Sequence, residues 1–304
     1  MIILDYSGTA ISNLFANGLS AGGHVDEGML RHMILNQIRT VYTKHRNTYG
    51  KMIIAYDAGG NWRRNVYAQY KACRKTSRDG DAKDWDAIFE SLNKIKNEIK
   101  TIMPYLHVEV YGCEADDVIG TLVHEVFGGT AEKTLIVSSD HDFKQLQEYP
   151  NVRQWAAREK KFVDEKDPKG HLFEKIMRGD KGDGVPNVLS SDDCLVEGIR
   201  QTPVKKTLIE EMSKLTEEQR ETTLGDNYIR NRAMVSLRHT PQEYQDTILT
   251  EYRDPKNLPD GMQVFNYFIE SKLKNLIGSI DDFLKTPNQT QNDSIQTTTH
   301  RLFV

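Results

Sequence analysis

The sequence predicts an α/β fold in which a mostly parallel central sheet is flanked by helices and followed by a smaller C-terminal helical region. Two observations lead there. Short apolar runs alternate with stretches of helical spacing through the first half, and after about residue 165 the strand-like runs give way to turns and helix-like stretches. Strand–helix alternation favours parallel strands with helices on the faces of the sheet.

Taken in order, the first run is Ile2-Ile3-Leu4, after which residues 25–46 place Met29, Met33, Ile34, Ile38 and Val41 at helical spacing. Met52-Ile53-Ile54-Ala55-Tyr56 reads as the second strand. Residues 84–103 repeat the helical pattern at Ile88, Phe89, Leu92, Ile95, Ile99 and Ile102, ahead of a third run at Val108-Glu109-Val110. Residues 115–127 carry Val118, Ile119, Leu122, Val123 and Val126 on one stripe, and Thr134-Leu135-Ile136-Val137 is the fourth run. Further on, Gly179-Asp180-Lys181-Gly182-Asp183-Gly184-Val185-Pro186 is too rich in turn residues for a regular helix. Helices are expected at 203–215, 227–238 and 262–284, and from Thr286 a Thr-, Gln- and Asn-rich stretch reads as a flexible tail. The expected organisation is therefore 1–165, 166–285 and 286–304.

Composition narrows the function classes. At 304 residues, 38% hydrophobic and 28% charged, the chain is long enough for a large core, and no apolar run approaches the roughly 20 residues that span a bilayer. The acidic opening Met1–Asp5 lacks the shape of a signal peptide. Cys73, Cys113 and Cys194 show neither zinc spacing nor a disulfide framework, which points to a reducing compartment. The net charge of -4 averages over an uneven distribution: Trp62 to Arg78 carries Arg63, Arg64, Lys71, Arg74, Lys75 and Arg78 and no acid. A basic segment beside an acidic pocket suits an enzyme acting on phosphodiesters.

The carboxylates supply the acidic pocket. Asp5 follows the first run, Asp57 the second, and Asp140 and Asp142 the fourth, while Glu114, Asp116 and Asp117 open the helix after the third. The carboxyl ends of parallel strands form one edge of a sheet, where ligands bind. Clustered carboxylates repel unless cations hold them, and oxygen-only donors suit Mg²⁺ or Mn²⁺ rather than zinc. The plainer reading is that each Asp caps the helix that follows it; for one residue that reading is as good, and for four together it is much weaker.

Asp5, Asp57, Glu114-Ala115-Asp116-Asp117, Ser138-Ser139-Asp140-His141-Asp142 and the loop Gly179 to Pro186 together resemble the 5′-nuclease (flap endonuclease) family. Trp62-Arg63-Arg64, Tyr67, Tyr70-Lys71 and Pro150-Asn151-Val152-Arg153-Gln154-Trp155 place the chain nearest the ribonuclease H branch from T-even-like bacteriophages, and the similarity runs in order from about Ile2 to Phe283. The resemblance implies a Mg²⁺-dependent 5′-to-3′ exonuclease and flap endonuclease. Its substrates would be RNA–DNA hybrids and DNA duplexes or flaps, in lagging-strand primer removal. It implies two Mg²⁺ ions, replaceable by Mn²⁺: Asp5, Asp57, Glu114, Asp116 and Asp140 around the first, and Asp142, Asp180 and Asp183 around the second. Residues of about 60–80 would form a helical arch, on which the spacing of Arg63, Tyr67, Lys71, Arg74 and Arg78 gives a shared helix face. Lys71 and Arg63 then match positions at the scissile phosphate. Trp62, Tyr67 and Tyr70 would stack on unpaired bases, and Arg64, Arg74, Lys75 and Arg78 would follow the strand.

In the same reading 1–165 is the nuclease domain and 166–285 a DNA-binding region with a helix–turns–helix element starting at Gly182–Pro186. Asn187-Val188-Leu189-Ser190-Ser191-Asp192 replaces the glycine-rich second turn of cellular members, which sets this chain apart at their monovalent-cation site. Lys205 and Lys206 are candidates for phosphate contacts. Gln296 to Val304 partly resembles clamp-binding peptides, with Thr299 where an aliphatic residue is usual. Implied partners are DNA and RNA–DNA hybrid with 5′ ends or flaps, a sliding clamp through 296–304 and a single-strand-binding protein, with no membrane. The expected form is a monomer, phage-encoded and working in the host cytoplasm. A haloacid-dehalogenase-type phosphatase is disfavoured because Ser7 stands where it needs a second Asp; a non-catalytic nucleic-acid-binding protein is disfavoured because the acids are all present.

Overall fold

A strand that is apolar at every position must be covered on both faces, and the first run shows how this chain does it. Ile2–Asp5 (β1) pairs in parallel with Met52–Ala55 (β2) on one side and Thr134–Val137 (β4) on the other. Leu106–Val108 (β3) lies beyond β2 and Val152–Ala156 (β5) beyond β4, both parallel; Lys161–Val163 (β6) closes the far edge antiparallel to β5. The order is β3-β2-β1-β4-β5-β6. The computed structural model describes residues 1–18, 24–74, 83–254 and 258–285.

Alternate side chains of each central strand enter different cores. Ile2, Leu4, Met52, Ile54, Leu135 and Val137 pack against Glu27–Tyr49 (α2), the helix after the short Tyr6–Asn13 (α1). Ile3, Ile53, Ala55 and Ile136 face the opposite layer. Arg63–Val66 (α3) and Trp85–Ile102 (α4) follow β2, and Ala115–Leu122 (α5), which fills that opposite layer with Val118, Ile119 and Leu122, follows β3. A third cluster, outside the sheet, joins Trp62, Tyr67 and Tyr70 to Pro168–Arg178 (α6).

After turns and irregular chain over 184–205, the described C-terminal part is built of helices: Lys206–Ser213 (α7), Glu217–Leu224 (α8), Asp226–Val235 (α9), Gln242–Arg253 (α10) and Gly261–Glu270 (α11), with two single turns after it. α9 completes the third cluster with Tyr228 and Met234. Val264, Phe268 and Phe283 pack back into the core shared with α2, and Arg46 Nη1 donates to the carbonyl of Asp282 at 3.0 Å.

Several expectations need correction. β3 lies two residues earlier than Val108-Glu109-Val110, because the chain needs Val110 to Cys113 to turn into α5. β5 and β6 carry no apolar run that announces them: β5 holds exposed Arg153 and buried Gln154. The stretch 262–284 is broken where Lys272 takes φ 56, and α6, α8 and α10 were not foreseen. Nor do Arg63, Tyr67 and Lys71 share a helix face, for α3 ends at Val66, Tyr67 is extended, and Lys71 takes φ 58. Lys75 and Arg78, like the tail 286–304, lie outside the described residues.

Candidate metal and nucleic-acid site

The strand order reverses between β1 and β4, and the crevice beyond their carboxyl ends is where an open α/β sheet binds its ligand. Each acid there is placed by a local cap. Asp5 caps α1 through Oδ1 to the Gly8 amide at 2.9 Å, and its Oδ2 accepts from the Ser138 hydroxyl at 2.9 Å. Gly8 is required for that approach, since a Cβ would lie 2.4 Å from Asp5 Oδ2. Asp57 reaches from the end of β2 to the Ala115 amide at 2.6 Å, which ties it to the start of α5. Asp140 Oδ1 accepts from the Asp142 amide at 2.8 Å, and buried Gln154 of β5 braces that turn through the carbonyls of Ser138 and Asp140. The capping role and the clustering therefore hold together.

Burial and neighbouring carboxylates raise two carboxyls of this group. Burial pushes the Asp5 carboxyl up to about 6, with Asp57 and Asp140 adding to the rise against the hydrogen bonds of Gly8 and Ser138. Asp116 is raised well above the ordinary range, first by burial and then by Asp140 and Asp5. Like charges gathered around buried Asp5, with only carboxylate oxygens on offer, fit a hard divalent cation.

A second set is already neutralised by the protein. Glu114 Oε1 is 2.5 Å from Lys71 Nζ, and its Oε2 accepts from the Tyr70 hydroxyl at 2.8 Å. Burial would raise the Glu114 pKa, but Lys71 and Arg63 hold it below the usual range. Asp183 meets Tyr70 at 3.0 Å, pairs with Arg74, and lies 3.6 Å from Lys71. Lys175 of α6 pairs with Asp142 and sits 2.8 Å from Asp180 Oδ2. Among the described residues no three His, Cys, Asp or Glu side chains stand ready around a common point.

The basic segment is placed differently from the sequence expectation. Trp62, Tyr67 and Tyr70 are buried, so their rings fill the third core cluster and do not present stacking faces to unpaired bases. Arg63, expected at the scissile phosphate, is only 2% exposed; its guanidinium binds Asp117, which is 0% exposed, and the carbonyl of Met234. Lys71 remains at the carboxylates, and burial, which would lower its pKa, is outweighed by Asp183 and Glu114. Arg64, Lys205 and Lys206 are exposed, Lys206 at 3.8 Å from Glu210. Asp180 caps a turn that closes through paired amide–carbonyl bonds with Val185 at 2.9 and 2.8 Å. Sequence reasoning named Asp117 among the acids opening the helix but gave it no partner, and it missed Lys175; the Asp167-Pro168 start and Gly179 stop of α6 were the signal that would have placed Lys175 in the last turn before Asp180.

Known proteins were compared with this chain. A 5′-3′ exonuclease N-terminal resolvase-like domain matches residues 3–175, and the C-terminal domain of T4 RNase H matches residues 167–283. Ribonuclease H of Enterobacteria phage T4 is 34% identical over 293 residues, covering 92% of this chain and 95% of that protein. A 5′-3′ exonuclease of Buchnera aphidicola subsp. Acyrthosiphon pisum is 35% identical over 114 residues, 37% of this chain and 36% of its own length. A bacteriophage T5 5′-exonuclease with divalent zinc bound superposes with a TM-score of 0.58 at 16% identity, over 83% of this chain and 98% of that one. A bacteriophage T5 flap endonuclease in a pseudo-enzyme–product complex with DNA and metal ions gives the same TM-score and identity, over 83% and 99%.

Proposed function

Because the chain belongs to the 5′-3′ exonuclease family and is a nuclease, we propose that it cuts from 5′ ends with divalent metal. Its substrates are RNA–DNA hybrids and DNA duplexes or flaps, and its role is the removal of RNA primers during phage lagging-strand replication. The observation that carries this reading is the crowding of Asp5, Asp57, Asp116 and Asp140 at the carboxyl edge of the sheet, with Asp5 pushed up to about 6. We place the first cation with those four and Glu114, and the second with Asp142, Asp180 and Asp183. Bound there, a pair of Mg²⁺ or Mn²⁺ ions supplies activation of the attacking water and stabilisation of the departing oxygen.

The chain's own residues do the rest. Lys71, 2.5 Å from Glu114, is near enough to the carboxylates to shift to a scissile phosphate and meet the charge that grows there. Tyr70 hydrogen-bonds Glu114 and Asp183 together and keeps the two carboxylate sets in register. Buried Arg63 acts on the site through Asp117, whose Oδ2 caps α5 at the Glu114 amide, 2.9 Å away. Arg64, Lys205 and Lys206, all exposed, are our candidates for contacts to backbone phosphates. The clamp reading rests on the sequence of 296–304 alone.

The test compares a 5′-labelled DNA flap, an RNA-primed duplex and p-nitrophenyl phosphate in Mg²⁺ and in EDTA. Both nucleic acids are cut only with metal, leaving 5′-phosphate and 3′-hydroxyl ends, the phosphate ester stays intact, and Asp140→Asn cuts nothing. Equal cutting in EDTA, or full activity of the variant, overturns the reading.

A further inference from the structure

The ammonium of Lys175 occupies a position that the chemistry of its neighbours assigns to a metal. Asp142 lies in the turn after β4 and Asp180 in the loop after α6, and Lys175 bridges them. Its ammonium pairs with Asp142 and stands 2.8 Å from Asp180 Oδ2, so one cation serves two carboxylates. The lysine is one-fifth exposed, buried enough to be committed and open enough to leave.

Beside it there is somewhere to go. Lys175 also lines an open cleft of about 640 Å³ that begins at Asp140 and Asp180 and continues past His141, His171 and Arg178. The one further acid on its wall, Glu174, is held by Arg178 at 2.7 Å. The buried Nε2 of His171 has no hydrogen-bond partner among the described residues. A recess walled by two imidazoles, a guanidinium and an ammonium, touching the carboxylates at one end, has the chemistry of a phosphate subsite.

Resting on the metal-dependent reading above, we propose that Lys175 is a displaceable counterion. Without metal it neutralises Asp142 and Asp180; when a divalent cation takes that place, the ammonium turns into the cleft and, with His171 and Arg178, holds a phosphate of the substrate strand. The same charge thus serves both states, and the metal decides which. Like charges forbid the ammonium and the cation from sharing the two carboxylates.

Two measurements on wild type, Lys175→Met and Lys175→Arg test this without turnover. Mn²⁺ titration followed by electron paramagnetic resonance reads the competition. The weaker site tightens by roughly fivefold or more in Lys175→Met, where the competing charge is gone, and stays near wild type in Lys175→Arg. Metal-free Lys175→Met also melts several degrees lower, its two carboxylates left unpaired, and Mn²⁺ restores it. DNA binding by fluorescence anisotropy reads the destination: Lys175→Met matches wild type in EDTA and binds several-fold more weakly in Ca²⁺. If wild type binds no Mn²⁺ at millimolar concentration, the metal reading itself fails. Equal Mn²⁺ affinity in all three proteins, or a DNA-binding loss of the same size in EDTA and in Ca²⁺, overturns the swap while leaving that reading in place.

Discussion

At the scale of single residues, Arg63 shows how burial changes a role. A guanidinium at 2% exposure cannot travel to a substrate phosphate, but it can neutralise Asp117, which is fully buried and receives a further bond from Thr240 at 3.1 Å. Removing one partner of a buried pair leaves the other charge uncompensated, which costs about 3–5 kcal/mol. Arg63→Met is therefore expected to lose that much stability in urea denaturation, and Arg63→Met with Asp117→Leu to recover most of it. A single variant as stable as wild type would show that Asp117 is solvated by another route. Asp5, Glu114 and Asp140 were legible in sequence because each follows a strand and starts a helix, a position that chain order alone reveals. What the aromatic residues and Arg63 do was not, since Trp62, Tyr67 and Tyr70 look the same in sequence whether a ring faces a base or α9. Only the packing of a helix more than a hundred residues away decides it.

At the scale of elements, the base of the basic segment and the glycine-rich loop form one unit. The Lys71 amide donates to the Asp183 carbonyl at 2.7 Å, Tyr67 to the Gly184 carbonyl at 3.2 Å, and Arg74 Nε to the Gly182 carbonyl at 3.2 Å. Gly184 makes the contact possible: it takes φ 73, and a Cβ there would stand 3.0 Å from the Gln69 carbonyl. Gly184→Ala is expected to cost about 1–2 kcal/mol for the left-handed backbone alone. It should also separate Lys71 from Asp183, lowering single-turnover cleavage by an order of magnitude or more while amide exchange at 67–74 speeds up. Unchanged exchange with normal cleavage would mean that the two elements act independently. The central strands and the long helices α2 and α4 were legible because burial on two faces or one writes a plain apolar pattern. β5 was hidden because its buried Gln154 serves the turn after β4, and α8 because its polar surface leaves only the Thr216–Gln219 capping box to mark it. The shared helix face expected of Arg63, Tyr67 and Lys71 is absent for a related reason: spacing of three and four is necessary for such a face, but Lys71 adopts a backbone that no helix contains.

At the scale of the whole molecule, acidity links histidines on three separate elements. His45 of α2, His107 of β3 and His124 beyond α5 are each lowered to about 4, in every case chiefly by burial. A histidine whose folded pKa lies below its unfolded value contributes stability that is complete above about 6.5 and is lost as pH falls toward 4. For His45, 5% exposed and packed edge-on against Trp155 at a ring separation of 4.9 Å, that contribution is roughly 3 kcal/mol at most. Asp5 works in the opposite sense over the same window: raised to about 6, it favours the folded state below the unfolded carboxylate pKa and ceases to do so as pH rises through 6. These histidines, with His171 and His239 lowered in the same sense, leave a net loss on acidification, which Asp5 and Asp116 reduce. In EDTA, where no metal adds its own pH dependence, the urea midpoint is expected to fall steadily from pH 7 to pH 4.5. His45→Phe keeps a ring against Trp155 but cannot take up a proton, so its midpoint should fall less over the same range while matching wild type near pH 7. A variant that loses stability in parallel with wild type at every pH would remove His45 from the acid response and place the burden on the edge strand and the layer of α5.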